Sequence, residues 1–495
     1  MTRVHISGAR RAVAGLLVLA SVSYGLAYLL VALARVNYPF ELEWMEGGML
    51  DHVRRVVAGD SIYAKPSLEF VSFLYPPLYY MVAAVFAKIL GSGFLPLRLL
   101  SLVSSLGVFV LIYRFVRRET GSTFPGVLAA GLFAATYDKV GGWFDLARLD
   151  SFYLLLLVAG IYVLRFKKSA TGAAAAGLLM GAAFLTKQSA LVITIPLGIH
   201  CLITDIKRAP WFIGAAGIVM WGGAMIIDRV SDGWFHYYCA YLPARHPRVE
   251  GAVLGFWTKD LLPALPIAGI ASVGYAAGRF LSGESRERLF FPLLAVGMIG
   301  SSWSVRNMVG AEVNNLLPAF MAVAMFTALG VHGVRSLAAR EGEGRWPRIA
   351  LVAEVLFGAQ LALLAYNPAK HIPTAADRAA GTKLVERIAA VDGEVFIPHH
   401  GYLAILAGKR SFAHTLALDN VHVEDDGPAR RDLELEIVRA VTEKRFAAVL
   451  LESDGWHEMD FLRTYAVRES LFDRPDVFWP VTGARLRPKA LCTPR

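Results

Sequence analysis

Long apolar stretches recur along the chain as far as residue 366, and short polar segments that carry most of the arginines and lysines separate them. Each stretch is long enough, or nearly so, to cross the roughly 30 Å hydrocarbon core of a bilayer as a helix. Eleven such stretches cover residues 12–36, 94–115, 124–143, 151–166, 171–185, 189–203, 211–227, 261–280, 289–303, 316–334 and 349–366. The pattern predicts an all-α polytopic membrane domain over residues 1–366, with about 11 transmembrane helices.

Two further segments between the first and second stretches differ from these. Residues 45–58 place Met45, Met49 and Val53 at helical spacing opposite polar positions, which is typical of a helix that lies at an interface. Residues 76–90 form an apolar run of about 15 residues, which is marginal for a span. We interpret both segments as juxtamembrane helices within one long external loop.

The positive charges indicate the topology. When residues 76–90 are not counted as a span, every basic cluster between the stretches falls on one side, and such clusters favour the cytoplasm. Arg3, Arg10 and Arg11 precede the first stretch, which lacks a small-residue cleavage site, so we expect a retained helix and a cytoplasmic N-terminus. An odd number of spans then predicts a multi-pass protein of the inner (cytoplasmic) membrane whose C-terminal tail is periplasmic or extracellular.

The tail, residues 367–495, is more polar and has no long apolar run. Helical periodicity covers residues 375–390 and 432–444, and short apolar runs at 394–398 and 446–452 are typical of buried strands. Because helices and strands alternate, we predict a small soluble α/β domain outside the membrane.

Composition agrees with this class of protein. Of 495 residues, 56% are hydrophobic and 18% are charged, so the chain is more apolar than ordinary soluble domains. The net charge of +10 is explained by basic cytoplasmic loops, and we do not expect nucleic acid as a partner. Cys201, Cys239 and Cys492 leave one cysteine over in any disulfide scheme and show no metal-binding spacing.

Acidic residues are concentrated where the first stretch ends. Residues 39–51 read PFELEWMEGGMLD and include Glu41, Glu43 and Glu46. A carboxylate at the outer face of a membrane can act as a general base toward a hydroxyl within hydrogen-bond reach. The alternative is that these acids only stabilise the N-terminus of the helix that follows.

A second acidic group lies between the third and fourth stretches, in the segment WFDLARLDS with Asp145, Arg148 and Asp150. Ionisable groups at a hydrophobic boundary are costly unless they are paired or functional. Asp150 and a first-loop glutamate such as Glu43 could share a divalent cation or divide acid and base roles, while Arg148 could bind a phosphate. A structural Asp–Arg ion pair is the alternative.

Basic and aromatic residues on the same predicted face complete the candidates. Candidate phosphate ligands are Arg148, Lys187, Arg306 and Tyr75, and candidate substrate-binding residues are Trp44, Tyr79, His246, Asn314 and Asn315. Lys187 lies on the side where few positive charges are expected, although a snorkelling anchor would also explain it. The tail histidines, His399, His400, His414, His422 and His457, are too scattered for a metal motif and are interpreted as ordinary surface or core residues.

Several of these features together resemble the GT-C glycosyltransferases. They are the acidic first loop, the G-x-x-x-Y turn from Gly59 to Tyr63, the sequence YPPLYY at residues 75–80, and Arg98 opening the next stretch. The branch in question includes the aminoarabinose transferase of lipid A and the protein O-mannosyltransferases, and the resemblance covers roughly residues 38–188. It implies a polyprenyl-phosphate sugar donor, transfer with inversion outside the membrane, and a lipid, glycan or protein acceptor.

Carried over by position, the resemblance implies that the first-loop acid is Glu41, Glu43 or Glu46, with Glu43 preferred as the base, and that the second acid is Asp150. The family's adjacent acidic pair appears here as glutamates at alternate positions. The lysine that the aminoarabinose branch has before its proline pair is absent, so phosphate contact falls to Lys65, Lys187 or Arg306.

Two other classes of function remain alternatives. A secondary transporter would also carry charges near the membrane, but it predicts internal repeats and broken helices near the midplane, and the sequence shows no repeat. A lipid-linked polysaccharide polymerase or ligase would also span the membrane many times, but it would not be expected to need an acidic first loop. No cofactor is implied, apart from the open case of a divalent cation.

Overall fold

Helices account for most of the chain in the computed structural model, which describes residues 3–282, 286–341, 344–424, 427–452 and 462–495. The helices before residue 366 are α1 (Arg3–Arg35), α2 (Glu46–Ala58), α3 (Leu78–Leu90), α4 (Phe94–Thr120), α5 (Thr123–Ala135), α6 (Asp150–Phe166), α7 (Ala170–Phe184), α8 (Ala190–Thr204), α9 (Ala209–Val230), α10 (residues 234–245), α11 (Ala252–Ala264), α12 (Pro266–Ser282), α13 (Phe290–Arg306), α14 (Leu317–Glu341) and α15 (Trp346–Leu363).

Each predicted stretch coincides with a helix, but the count of 11 spans is not confirmed. Among the described residues, six helices are long and apolar enough to cross a membrane, and a seventh span results if α11 and the helix after it, bent by 106°, are taken as one. The remaining predicted spans are α5 to α8, which have only 13 to 17 residues. At about 1.5 Å per residue these helices are shorter than the hydrocarbon core.

Large apolar side chains cover much of the outer surface of the long helices. Leu16, Leu19 and Leu30 of α1 are more than 60% exposed, as are Ile218 and Met225 of α9. An apolar surface of this extent is stable in lipid and not in water. The chain is therefore a multi-pass membrane protein.

The two segments predicted to lie beside the membrane are helices α2 and α3. Gly59 ends α2 in the left-handed conformation, with φ +85°, and its backbone N–H contacts the carbonyls of Arg55 and Val56. Such a C-terminal glycine is favoured because it has no Cβ to clash. The G-x-x-x-Y turn of the sequence is therefore the end of α2.

The described part of the tail contains the expected helices and strands, with two further helices and two further strands. Its helices are α16 (Ala375–Ala389), α17 (Tyr402–Leu406), α18 (Thr415–Val421) and α19 (Pro428–Thr442), and its strands are β1 (Val395–Phe396), β2 (Ala448–Leu451), β3 (Tyr465–Ser470) and β4 (Ala490–Pro494). The strand order is β1-β2-β4-β3, with β1 parallel to β2 and the other pairs antiparallel. The sequence did not predict β3 and β4, because charged Arg468 and Glu469 interrupt the first and Pro494 ends the second.

The tail packs directly on the loop between α1 and α3. The backbone N–H of Ala413 donates to the Leu68 carbonyl at 2.9 Å, and Arg445 forms a salt bridge of 2.6 Å with Glu69. The tail also reaches the acidic stretch itself, since the Ser411 hydroxyl donates to the Asp51 carboxylate at 3.2 Å.

Candidate active site

Glu46 and Arg98 form a buried ion pair at the base of the first loop. Glu46 is the first residue of α2, and its two carboxylate oxygens accept from the Arg98 Nη2 at 2.5 Å and the Nε at 3.1 Å. The backbone N–H groups of Leu42 and Ala147 donate to the same carboxylate at 2.7 and 2.6 Å. Burial opposes ionisation, but Arg98 and these N–H groups outweigh it and lower the pKa of Glu46.

Arg98 also joins this pair to the end of α1. Its Nη1 donates to the Tyr38 carbonyl at 2.6 Å and its Nη2 to the Phe40 carbonyl at 2.7 Å. The N–H groups of Arg98 and the carboxylate oxygens of Glu46 all have partners within the protein. Through these bonds Glu46 connects the first loop to α4 and to the segment before α6.

Glu43 has a different environment. Its Oε2 accepts from the Arg148 Nη1 at 3.2 Å, while its Oε1 is buried without a partner among the described residues. Burial raises the pKa of Glu43 to about 8; Arg148 lowers it, and neighbouring Glu46 raises it further. A carboxylate with one oxygen anchored and the other free is able to accept a proton.

Glu41 faces the tail. Its Oε1 accepts from the Gly47 N–H at 2.8 Å, and its Oε2 lies 2.5 Å from the His400 Nδ1. Burial raises the pKa of Glu41 well above its usual value, and burial lowers that of His400. The pair connects the first loop to the end of strand β1.

Asp150 opens α6 and organises a polar cluster. Its Oδ1 accepts from the Lys187 Nζ at 2.8 Å and the Asn314 Nδ2 at 3.0 Å, and its Oδ2 accepts from the Trp143 indole N–H at 3.0 Å. Lys187 also donates to the Asn315 Oδ1 at 2.9 Å. These residues come from three separate loops on one side of the helices. Four of them line a small cavity together with Ser189 and Ser301, namely Asp150, Lys187, Asn314 and Asn315.

Arg148 lies between Glu43 and this cluster. Its guanidinium stands 5.6 Å from the centre of the Trp143 ring, and its Nη2 is 3.5 Å from the Tyr75 hydroxyl. Its Nε is buried and has no partner among the described residues. Burial opposes the charge, but Glu43 outweighs it and raises the pKa of Arg148. A permanently charged side chain with an unused donor is suited to an anionic ligand.

The structure therefore brings together Glu43, Arg148, Asp150, Lys187, Asn314, Asn315 and Tyr75. The other candidates make different contacts, since Lys65 pairs with Asp432, Arg306 with Asp260, and His246 with Asn420. Tyr79 is fully buried, packed against Tyr80 and Phe152.

Sequence reasoning missed the histidines that meet the first loop. Trp44 is half-buried, and its ring lies 5.5 Å from the ring of His414 and 6.1 Å from that of His399. His399 also contacts Glu452 at 2.8 Å. The available signal was the adjacent pair His399–His400 directly after a predicted strand, a position where ligand-binding residues are common. His457 lies outside the described residues.

No group of three or more His, Cys, Asp or Glu side chains is arranged to hold a metal ion in the part of the chain that the structure describes. Glu43 and Asp150 are each engaged by a cationic side chain.

Comparison with solved structures identifies the architecture. The chain is similar to ArnT from Cupriavidus metallidurans bound to undecaprenyl phosphate, with a TM-score of 0.60 over 95% of this chain and 97% of that one, at 14% identity. The chain has the GT-C fold. A second GT-C structure, the oligosaccharyltransferase AglB from Archaeoglobus fulgidus with an inhibitory peptide and a dolichol-phosphate, gives a TM-score of 0.51 over 87% and 69% of the two chains, at 13% identity.

The sequence itself matches a known family over part of its length. Residues 75–226 match the family model of dolichyl-phosphate-mannose-protein mannosyltransferases, and no curated protein matches the sequence significantly. The matched region of this GT-C chain contains Arg148, Asp150 and Lys187 but not the first-loop glutamates. The resemblance expected from the sequence is confirmed, and the partial family match is to glycosyltransferases.

Proposed function

We propose that the protein is an inverting glycosyltransferase of the inner membrane that moves a sugar from a polyprenyl-phosphate donor to a lipid, glycan or protein acceptor at the outer face. The observation that carries this proposal is the pairing of Glu43 with Arg148 beside the Asp150–Lys187 cluster. A buried carboxylate with a free oxygen adjoins cationic groups that suit a phosphate. The tail, residues 367–495, forms the extracytoplasmic part.

Glu43 is the proposed general base. As the acceptor hydroxyl attacks the anomeric carbon, its proton passes to the free Oε1 of Glu43. The bond between the anomeric carbon and the phosphate oxygen breaks on the opposite side, and its electron pair leaves with the polyprenyl phosphate. A single displacement of this kind inverts the anomeric configuration, and a positioned base of this kind contributes about 10²–10⁴-fold to the rate.

Arg148 and Lys187 are the proposed phosphate ligands. Both are fixed by carboxylates, Arg148 by Glu43 at 3.2 Å and Lys187 by Asp150 at 2.8 Å, so their charges are in place before the donor binds. Preorganised charge of this type stabilises a leaving group without reorganisation at the moment of reaction. Asp150 is then a positioning residue for Lys187 and Asn314.

The solved neighbours support a lipid carrier. The ArnT structure contains undecaprenyl phosphate, and the AglB structure contains a dolichol-phosphate together with a peptide. The candidate site lies at the ends of membrane helices. This position also fits a carrier whose phosphate is at the interface and whose hydrocarbon chain is in the bilayer.

Purified protein incubated with a panel of polyprenyl-phosphate sugars and candidate acceptors tests the proposal through release of polyprenyl phosphate. We expect Glu43→Gln to reduce turnover by about 10²–10⁴-fold and Asp150→Asn to weaken donor binding. Lys65→Met is the matched control, because the Lys65 side chain is 58% exposed and pairs with Asp432 away from the cluster. Undiminished turnover in Glu43→Gln would refute the assignment of the base.

A further inference from the structure

Gly483, in the tail, lies directly against the first loop. A Cβ atom at this position would stand 2.9 Å from the Cγ of Glu43, 3.1 Å from its Oε1 and 3.4 Å from the Cδ1 of Trp44. The backbone is left-handed there, with φ +71°, and the N–H of the preceding Thr482 donates to the Leu42 carbonyl at 3.3 Å. Both the backbone conformation and the close approach require glycine.

Two polar atoms beside Gly483 lack partners. The Oε1 of Glu43 and the indole Nε1 of Trp44 are both buried and make no hydrogen bond among the described residues. Oε1 and the Cδ1 bonded to Nε1 lie within 3.4 Å of the same point, the position a Cβ of Gly483 would take. Buried polar atoms are nearly always satisfied in native proteins, so two unsatisfied atoms beside the same glycine indicate a place for ligand atoms.

The two atoms are complementary. An ionised carboxylate oxygen only accepts a hydrogen bond, and an indole N–H only donates one. A hydroxyl group does both at once, since its O–H can donate to Oε1 while its oxygen accepts from Nε1. A carboxamide nitrogen cannot satisfy both, because its lone pair is delocalised into the carbonyl.

We propose that Glu43 Oε1 and Trp44 Nε1 form a subsite for the acceptor hydroxyl and that Gly483 of the tail is its wall. This inference rests on the proposed function and deepens it. The nucleophile is a hydroxyl, and the tail completes the site by closing over the base. Trp44 orients the attacking oxygen, and Gly483 acts as a positioning residue that keeps bulk water from the carboxylate.

Two variants and one control test the subsite. Trp44→Phe keeps an aromatic ring but removes the N–H, and we expect about tenfold lower kcat/KM for the acceptor, the size of one lost hydrogen bond, with unchanged affinity for polyprenyl phosphate. Gly483→Ala displaces the wall, and we expect about a hundredfold lower kcat, as for a small misplacement of a catalytic group. Gly408→Ala is the control, because Gly408 has φ +73° but nothing within 4 Å of an added Cβ.

A second measurement does not depend on turnover. A water-soluble carbodiimide modifies carboxyl groups that it can reach, and mass spectrometry reports the extent of modification at Glu43. We expect faster labelling of Glu43 in Gly483→Ala than in either wild type or Gly408→Ala. Equal labelling in the two alanine variants, or wild-type acceptor kcat/KM in Trp44→Phe, would overturn the subsite. If wild type transfers no sugar from any donor, the proposed function fails, while the labelling still decides whether the tail covers Glu43.

Discussion

Three glutamates within one short loop have three different environments because their partners differ. Glu46 has four protein donors, Glu41 is paired with a histidine of the tail, and Glu43 keeps one free oxygen beside a guanidinium. Nothing in the local sequence distinguishes them, since each is a glutamate near the start of the same helix. The distinction arises from Arg98, Arg148 and His400, which are distant in sequence.

The activity should depend on pH through Glu43. A base must be deprotonated to accept a proton, and burial raises the pKa of Glu43 to about 8, against the lowering effect of Arg148 and with Glu46 and Glu312 raising it further. We therefore expect kcat/KM to rise with pH and to level off above about pH 8. A pH–rate profile measures this limb. A flat profile through that region, at constant protein stability, would contradict the role of Glu43.

Glu46 should matter for stability more than for chemistry. Glu46→Gln removes the negative partner of Arg98, which has no exposed surface, and an uncompensated buried charge costs about 3–5 kcal/mol. Thermal unfolding in detergent should show a large fall in melting temperature. Glu469→Gln provides the comparison, because its salt bridge with Arg387 is 53% exposed on the glutamate side and such surface pairs contribute little. Similar melting temperatures for the two variants would argue against the structural role.

At the scale of elements, the sequence located the helices well and their relation to the membrane less well. The apolar stretches predicted α2, α3 and α6 to α9 to within a few residues because each is a local pattern. In contrast, α1 begins at Arg3 instead of residue 12, and α5 ends at Ala135 instead of residue 143. The apolar pattern could not decide whether α5 to α8 cross the bilayer, because helices of 13 to 17 residues are shorter than the hydrocarbon core. The strands β3 and β4 were missed because most of β3 is exposed and carries charged residues, while β4 is short and ends at Pro494.

The start of α2 is packed more closely than its sequence suggests. An added Cβ at Gly48 would overlap the ring of Phe73. We expect Gly48→Ala to destabilise the protein by about 1–3 kcal/mol through overpacking, although alanine is the better helix former. Gly15→Ala in α1 is the matched change, because nothing lies within 4 Å of an added Cβ there. Melting temperatures of the two variants compare the effects, and equal stability would show that α2 can shift to make room.

At the scale of the whole molecule, the candidate site combines parts that local reasoning treats separately. The sequence predicted the cluster of Glu43, Arg148, Asp150 and Lys187 because all were assigned to one face of the membrane. It did not predict that the tail joins them, since the contacts of His400 and Gly483 with the first loop span more than 350 positions. Such contacts depend on the tertiary fold, which the periodicity of apolar residues along the sequence does not predict.

The orientation in the membrane can be tested with introduced cysteines, because the three native ones are all buried. Leu435 is 66% exposed on the tail, and Lys207 is exposed in a loop predicted to be cytoplasmic. A membrane-impermeant maleimide added to spheroplasts should label Leu435→Cys, and should label Lys207→Cys only after permeabilisation. The reverse pattern would place the tail and the glutamates in the cytoplasm.

The ion pair of Glu46 with Arg98 also bears on how the protein is made. All its partners, from Tyr38 to Ala147, leave the ribosome long before the tail does. The glutamate loop can therefore be fixed while later helices are still entering the membrane, and the tail folds onto a finished surface. During synthesis Glu43 and its partner Arg148 therefore emerge first, and the segment around Gly483 that packs against Glu43 emerges last.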